Sequence, residues 1–170
     1  MQEAKTIWFN GSLIPWKDAN VHVLSHAMHY GSGAFEGMRA YEIDGRAAIV
    51  GLKAHVQRLF DSCRVLYMDL PFSPEEVCAA VRDTVQSNGH TSCYIRPLAY
   101  RGYAELGVMP DNCPVELAIA SFTWDSLHGQ DGLENGVDVG ASSWRRMAPD
   151  THPARATITA NDVHPARASR

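Results

Sequence analysis

The feature that most constrains the fold is a repeated change in the spacing of the apolar residues. Residues 34–43 alternate with a period of two, which predicts a β-strand, and this period returns at residues 92–101. Between Leu52 and Leu66 the apolar residues instead recur at helical spacing, which predicts an amphipathic helix. Residues 115–122 form an almost continuous apolar run typical of a buried central strand. Together these patterns predict an α/β small domain in which helices pack on a sheet.

Turn and capping residues indicate where these elements end. Asn10-Gly11 and Asp44-Gly45 are typical of tight β-hairpins, so we expect antiparallel hairpins in the sheet. Ser73, followed by proline and glutamates, is typical of a capped helix start. We therefore expect two helices, at about residues 52–67 and 74–88, packed against a mixed sheet.

Composition excludes several functional classes. The chain has 170 residues and a net charge of -4, so it offers no excess of basic residues for nucleic acid. No apolar run reaches the length of a membrane span, and the first residues lack the layout of a signal peptide. We expect a cytoplasmic protein. Its cysteines are widely spaced and are expected to be reduced thiols: Cys63, Cys78, Cys93 and Cys113.

Two of the predicted strands carry side chains suited to a ligand site. Phe35, Gly37 and Arg39 share one strand face, where a glycine between an aromatic ring and a guanidinium leaves space for a planar ligand. On the later strand, Arg96 shares a face with Tyr94 and must either pair with an anion or lie at a sheet edge. The proline that follows Arg96 favours an edge strand, because proline cannot donate to a central ladder.

Several phrases together resemble the pyridoxal-phosphate aminotransferases of fold type IV, and within them the branched-chain amino acid aminotransferases. They include Phe-Glu-Gly-Met-Arg, His-Val-Gln-Arg-Leu and Tyr-Ile-Arg-Pro-Leu. The joint match is more specific than any single phrase. The matching stretches follow the family's order at residues 7–11, 21–39, 55–62, 92–98 and 142–151.

This resemblance implies a reaction and a set of site residues. The family transfers an amino group from leucine, isoleucine or valine to 2-oxoglutarate through pyridoxal 5′-phosphate, and the protein would be a homodimer or a higher homo-oligomer. Arg58 would hold the cofactor phosphate through its planar, bidentate donors. The substrate side of the pocket would be formed by Tyr30, Phe35, Gly37, Arg39, Tyr94, Arg96 and Trp124.

The chain departs from the family at the cofactor lysine. In the family's register this lysine would stand at residue 157, but the chain has Thr157 there, and no lysine follows Lys53. Threonine can neither condense with an aldehyde nor serve as the base of the proton shift. We therefore expect no catalytic residue at this position, and no transaminase activity from the chain as written.

The resemblance also predicts a domain boundary. Residues 1–130 would form the small domain and the start of the interdomain loop, and residues 131–170 would be a truncated, divergent start of the large cofactor domain. The five residues 152–156 recur as 164–168, and the apolar periodicity stops in this region. This pattern favours a duplication or a sequence reading error over a packed element.

Three other interpretations stay open. Within the fold, the chain could belong with the D-amino acid aminotransferases or the aminodeoxychorismate lyases, although the phrases quoted above favour the branched-chain group. It could instead be an inactive fragment that persists as a folded or dimerising module, which the missing lysine supports. Metal binding by His22, His26 and His29 would use a spacing that aligns on a helix, but the family resemblance accounts for the same residues.

Overall fold

The computed structural model describes residues 2–124, 132, 134–140, 147–148, 150–151 and 153–161. The helices are α1 (His26–Tyr30), α2 (Leu52–Val65) and α3 (Pro74–Asn88). The strands are β1 (Thr6–Phe9), β2 (Ser12–Pro15), β3 (Gly33–Phe35), β4 (Met38–Ile43), β5 (Arg46–Ile49), β6 (Cys93–Arg101) and β7 (Val115–Phe122). Short 3-10 helices lie at Trp16–Asp18 and Thr159–Asn161.

The strands form one sheet in the order β2-β1-β7-β6-β4-β5, and β3 also pairs with β6. Both predicted hairpins are present, and Asn10 and Asp44 at their turns have positive φ angles of 45° and 50°. Every strand pairing among the described residues is antiparallel, which differs from the mixed sheet expected from the sequence. The reason is that tight turns return the chain antiparallel to itself, whereas parallel neighbours need a long crossover.

The sequence predicts one strand over residues 34–43, but the structure divides it into β3 and β4 at Glu36 and Gly37. The Glu36 N–H donates to the Pro97 carbonyl oxygen at 3.0 Å. In a strand the N–H and C=O of one residue point to the same side, so the N–H that Pro97 lacks would have faced this break. β6 pairs with β7 on its other side and is central. The prediction of an edge strand, which rested on the proline, is therefore wrong.

One face of the sheet packs on α2 and α3 and forms the hydrophobic core. Met38, Ile95 and Ile119 point from the sheet toward Leu59 and Val81 of the helices, and all five side chains are at most 2% exposed. The residues that the helical spacing of α2 and the period of two in β6 predict to be buried therefore lie in this core.

Both predicted helices are present. α3 has the predicted bounds, and a capping box begins it: the Ser73 hydroxyl accepts from the Glu76 N–H, while the Glu76 carboxylate accepts from the Ser73 N–H at 2.7 Å. These hydrogen bonds lower the pKa of Glu76. α2 ends at Val65 rather than residue 67, because Tyr67 has a φ of 52°, outside the helical range. Among the described residues, no helix has the length and apolarity to span a membrane.

The four cysteines are buried free thiols, as the sequence predicted. Burial raises the pKa of Cys63 to about 12 and that of Cys93 to about 11. These two thiols therefore stay protonated near neutral pH and behave as small apolar side chains.

The segment 153–161 packs against β3. Ala156 and Ile158 are 4% and 3% exposed, and Ile158 forms an antiparallel bridge with Ala34. The first copy of the repeat therefore runs into a packed segment, contrary to the expectation from the sequence, because the edge of β3 offers backbone groups for pairing. The second copy and the predicted boundary near residue 130 lie outside the described residues, and the boundary stays a prediction.

We expect Leu59→Ala to lower the free energy of unfolding by about 2–5 kcal/mol, because Leu59 is 0% exposed and the change leaves a cavity. Glu75→Ala is the matched control on α3, where the side chain is exposed, and it should change stability by less than about half a kcal/mol. Urea denaturation of both variants measures the difference. Equal effects would contradict the assignment of the α2 core face.

Candidate functional site

Most of the predicted substrate residues lie on the sheet face opposite the helices. Across the β4–β6 pair, Arg39 stands opposite Tyr94, and across the β3–β6 pair Phe35 stands opposite Leu98. Arg96 lies between Tyr94 and Leu98 on the same face, and these side chains are half-buried. The neighbours of Arg96 along the strand point into the core. The period-two prediction for this strand is therefore confirmed.

Arg96 is held between two aromatic rings. Its guanidinium carbon lies 4.6 Å from the Phe35 ring centroid and 5.3 Å from that of Tyr94, distances at which a cation is attracted to a ring face. One Arg96 Nη donates to the Tyr94 hydroxyl at 3.1 Å. The Arg96 Nε is buried and has no hydrogen-bond partner among the described residues. A buried N–H of a cation without an acceptor is suited to an anionic ligand.

Gly37 is predicted to leave space for a planar ligand, and the structure fills that space with Tyr94. A Cβ at Gly37 would collide with the Tyr94 hydroxyl, and the ring carbon that bears this hydroxyl would lie 3.0 Å away. The glycine is therefore required for the close approach of a tyrosine ring to the β3–β4 break. The Tyr94 hydroxyl then stands where it can reach Arg96.

Trp124 extends this aromatic group at the end of β7. Its ring lies 4.8 Å from the Tyr94 ring and 5.9 Å from the Phe122 ring, measured between centroids. A cavity of about 270 Å³ opens beside it. The cavity is lined by Arg39, Ala40, Tyr41, Ser92, Cys93, Thr123 and Trp124.

Tyr30 makes its described contacts away from the side chains around Arg96. It lies on α1, where its ring stacks on His26 at 4.5 Å between centroids. Its hydroxyl donates to the Leu106 carbonyl oxygen at 3.0 Å. The described contacts therefore bring together Phe35, Gly37, Arg39, Tyr94, Arg96 and Trp124, and they join Tyr30 to the 103–109 loop instead.

Arg58 forms a polar cluster with Glu36 and His55, separate from the aromatic group around Arg96. One Arg58 Nη donates to a Glu36 carboxylate oxygen at 2.7 Å, and the His55 Nδ1 lies 2.8 Å from the same oxygen. Glu36 is fully buried, whereas the Arg58 side chain is 47% exposed. The sequence analysis named Arg58 as a candidate but did not name its two partners. The available signal was a carboxylate in the core-facing register of an alternating strand, where a charge requires a partner.

The backbone of Thr157 contacts both α2, which carries Arg58, and β3, which carries Phe35. Its N–H donates to the Ser62 hydroxyl at 3.0 Å, one turn after Arg58 on α2. Its carbonyl oxygen accepts from the Phe35 N–H at 3.1 Å on β3. Thr157, which the resemblance predicts to stand in place of the family's lysine, is therefore anchored to the elements that carry both Arg58 and Phe35.

The histidines proposed as metal ligands have separate contacts. The His26 Nδ1 lies 2.7 Å from the Ser32 hydroxyl, and the His29 Nε2 lies 3.0 Å from the Val23 carbonyl oxygen. His22 precedes α1 and does not share a helix face with the other two. Within the described ranges, no group of three or more His, Cys, Asp or Glu side chains is placed to hold a metal ion. The metal alternative gains no support.

Comparison with known proteins places this architecture in a family. The family model described as amino-transferase class IV matches residues 33–163. This chain therefore belongs to the class IV aminotransferases, as the resemblance predicted.

Within that family, the chain is similar to branched-chain-amino-acid aminotransferases. It is 40% identical to the enzyme of Escherichia coli (strain K12) over 161 residues, which cover 94% of this chain and 52% of that protein. It is 41% identical to the enzyme of Pseudomonas aeruginosa over 140 residues, covering 82% of this chain and 46% of that one. The chain thus spans about half the length of the curated relatives it matches.

Solved structures give the same relationship. The crystal structure of the E. coli branched-chain amino acid aminotransferase aligns with a TM-score of 0.89 at 41% identity, covering 94% of this chain and 53% of that one. The branched-chain aminotransferase of Thermoproteus uzoniensis with norvaline aligns with a TM-score of 0.83 at 32% identity, covering 93% and 52%. The predicted α/β fold of this family is confirmed.

We expect Gly37→Ala to lower the free energy of unfolding by about 1–3 kcal/mol, because the added methyl must displace the Tyr94 ring from a packed position. Gly140→Ala is the control, since a Cβ there meets no atom of the described residues within 4 Å. Urea denaturation gives the stabilities, and the change in tyrosine fluorescence reports the ring's environment. An unchanged Gly37→Ala variant would contradict the close approach of Tyr94.

Proposed function

We propose that this chain provides the substrate-facing wall and one phosphate contact of a branched-chain-aminotransferase-type site, without an amine for covalent catalysis. The observation that carries the proposal is Arg96, held between Phe35 and Tyr94 with a buried Nε that has no described partner. The Phe35 N–H also donates to the carbonyl oxygen of Thr157, the residue proposed to stand in the lysine's position. The side chains proposed to recognise the substrate therefore lie next to the residue proposed to replace the lysine.

The substrate class follows from the chemistry of this wall. The unpartnered Arg96 N–H suits a carboxylate, which both the amino acid and the 2-oxo acid carry. The rings of Phe35, Tyr94 and Trp124 offer apolar surface for a branched aliphatic side chain. Similarity to branched-chain-amino-acid aminotransferases supports leucine, isoleucine and valine as the amino acids. The proposal of 2-oxoglutarate as the acceptor rests on the family resemblance.

The cofactor proposed for this site is pyridoxal 5′-phosphate. Support comes from related branched-chain amino acid aminotransferase structures complexed with N-(5′-phosphopyridoxyl)-L-glutamate or with pyridoxamine 5′-phosphate. When bound, the cofactor supplies the aldehyde and the electron-withdrawing ring that amino transfer needs. The residues of this chain fit its phosphate end, where Arg58 presents a half-exposed guanidinium. They do not fit its aldehyde end, because residue 157 is a threonine and the lysines of the chain are Lys5, Lys17 and Lys53.

A folded, catalytically inactive module of the same family is the second candidate. The intact core and the backbone contacts of Thr157 favour it, because a threonine at this position is fully accommodated by the fold. A cytoplasmic location and association into a homodimer or higher homo-oligomer belong to both proposals and rest on the family resemblance.

We expect the chain as written to show no transaminase activity with leucine, 2-oxoglutarate and added pyridoxal 5′-phosphate. Thr157 forms no imine, so the visible spectrum should lack a protein-bound Schiff base at this position. Glutamate formation above the rate of the free cofactor, together with a borohydride-trapped adduct at one defined lysine, would sink the proposal of inactivity.

The single change Thr157→Lys should also fail to restore turnover. It adds an amine, but one charge-assisted contact from Arg58 is a poor substitute for a full set of phosphate donors. Glutamate formation by Thr157→Lys is compared with that of Thr157→Met, which has similar bulk and no amine. Turnover by the lysine variant alone would show that the remaining residues already complete the site.

A further inference from the structure

Glu36 carries a charge in an unusual place. It is 0% exposed, and it lies at the β3–β4 break with its side chain on the core face of the sheet. One carboxylate oxygen receives both Arg58 and His55, and the other has no partner among the described residues. Burying a carboxylate is costly, and apolar packing of similar volume usually stabilises a core at least as well. We therefore expect a role for the Glu36 carboxylate other than stabilising the fold.

We propose that Glu36 is a positioning residue that fixes the Arg58 guanidinium for a phosphate group. This inference rests on the proposed role of Arg58 in holding the cofactor phosphate. Glu36 engages Arg58 through a single Nη at 2.7 Å, which leaves most of the guanidinium's donors for a ligand. The Arg58 side chain is 47% exposed, so without this anchor it would lose rotamer freedom each time it bound an anion.

His55 braces the same carboxylate. Its Nδ1 lies 2.8 Å from the Glu36 oxygen, and because an ionised carboxylate can only accept, this hydrogen bond assigns the proton to Nδ1. A protonated Nδ1 cannot accept from Arg58, so the 3.3 Å separation between the Arg58 Nη and the His55 Nδ1 is a contact and not a hydrogen bond. His55 and Arg58 thus donate side by side to one oxygen. Glu36 fixes the His55 tautomer as well as the direction of Arg58.

The charge of Glu36 would, by itself, oppose the binding of a phosphate. The two effects predict opposite results for Glu36→Gln: weaker binding if the carboxylate orients Arg58, and tighter binding if it acts only as a negative charge. Glu36→Asp separates them further, because it keeps the charge and shortens the reach to Arg58 and His55. If orientation dominates, both variants bind phosphate more weakly.

Pyridoxine 5′-phosphate is the probe, because it has the phosphate and ring of the cofactor without an aldehyde that could react with surface lysines. Titration calorimetry should show Glu36→Gln and Glu36→Asp weakened by about tenfold, the size of effect expected from residues that orient a binding group. Arg58→Ala should bind less than either. Glu75→Gln, an exposed carboxylate on α3, is the matched control and should bind as the unsubstituted chain does.

A second measurement keeps the inference testable if binding is weak or a variant is less stable. Nitrogen-15 relaxation of the Arg58 guanidinium should show a restricted group in the unsubstituted chain and a mobile group in a folded Glu36→Asp variant. The His55 ring should carry its proton on Nδ1 only while Glu36 is present. A purely structural carboxylate would leave both signals unchanged in a folded Glu36→Asp variant.

The outcomes separate the two proposals. If the unsubstituted chain does not bind pyridoxine 5′-phosphate, or Arg58→Ala binds equally well, the proposed phosphate role of Arg58 fails and this inference fails with it. If binding depends on Arg58 but is unchanged or tighter in both Glu36 variants, only the positioning role is overturned.

Discussion

The site depends on one interruption in the backbone hydrogen bonding of the sheet. Pro97 accepts from the Glu36 N–H but has no N–H to return, and the paired strand divides into β3 and β4 at this point. On one side of the interruption Glu36 enters the core beneath α2, and on the other Gly37 admits the Tyr94 ring. A single proline thus lies next to both polar groups of the site.

The two groups lie on opposite faces of the same short stretch of strand. On the helix face, the buried carboxylate of Glu36 is paired with Arg58 and His55 of the same chain. On the open face the cation of Arg96 is surrounded by rings and lacks a described anion. This difference supports the proposal that Arg58 and Arg96 have different roles. One is already paired and directed, and the other is suited to the ligand's own charge.

Much of the fold follows from local patterns in the sequence, and the departures arise from tertiary contacts. Helix α3 begins and ends where its cap and Asn88-Gly89 indicate, because these signals act within a few residues. The face of Arg96 follows from period two. The strand break could not be read from the residues around Glu36, since its cause is a proline about sixty positions away. The pairing of Arg58 with Glu36 could not be predicted for a similar reason, because the two residues meet only where α2 packs on the sheet.

The anchoring of residue 157 has a consequence for how such a protein can change. Its N–H is held by Ser62 and its carbonyl oxygen by the Phe35 N–H, so both hydrogen bonds use backbone atoms that every residue other than proline possesses. Its side chain is only partly buried. If the proposed correspondence holds, exchange of a lysine for a threonine here removes a nucleophile while leaving these bonds available. Folding and reactivity are therefore under separate control at this position, and selection acting on the one would not preserve the other.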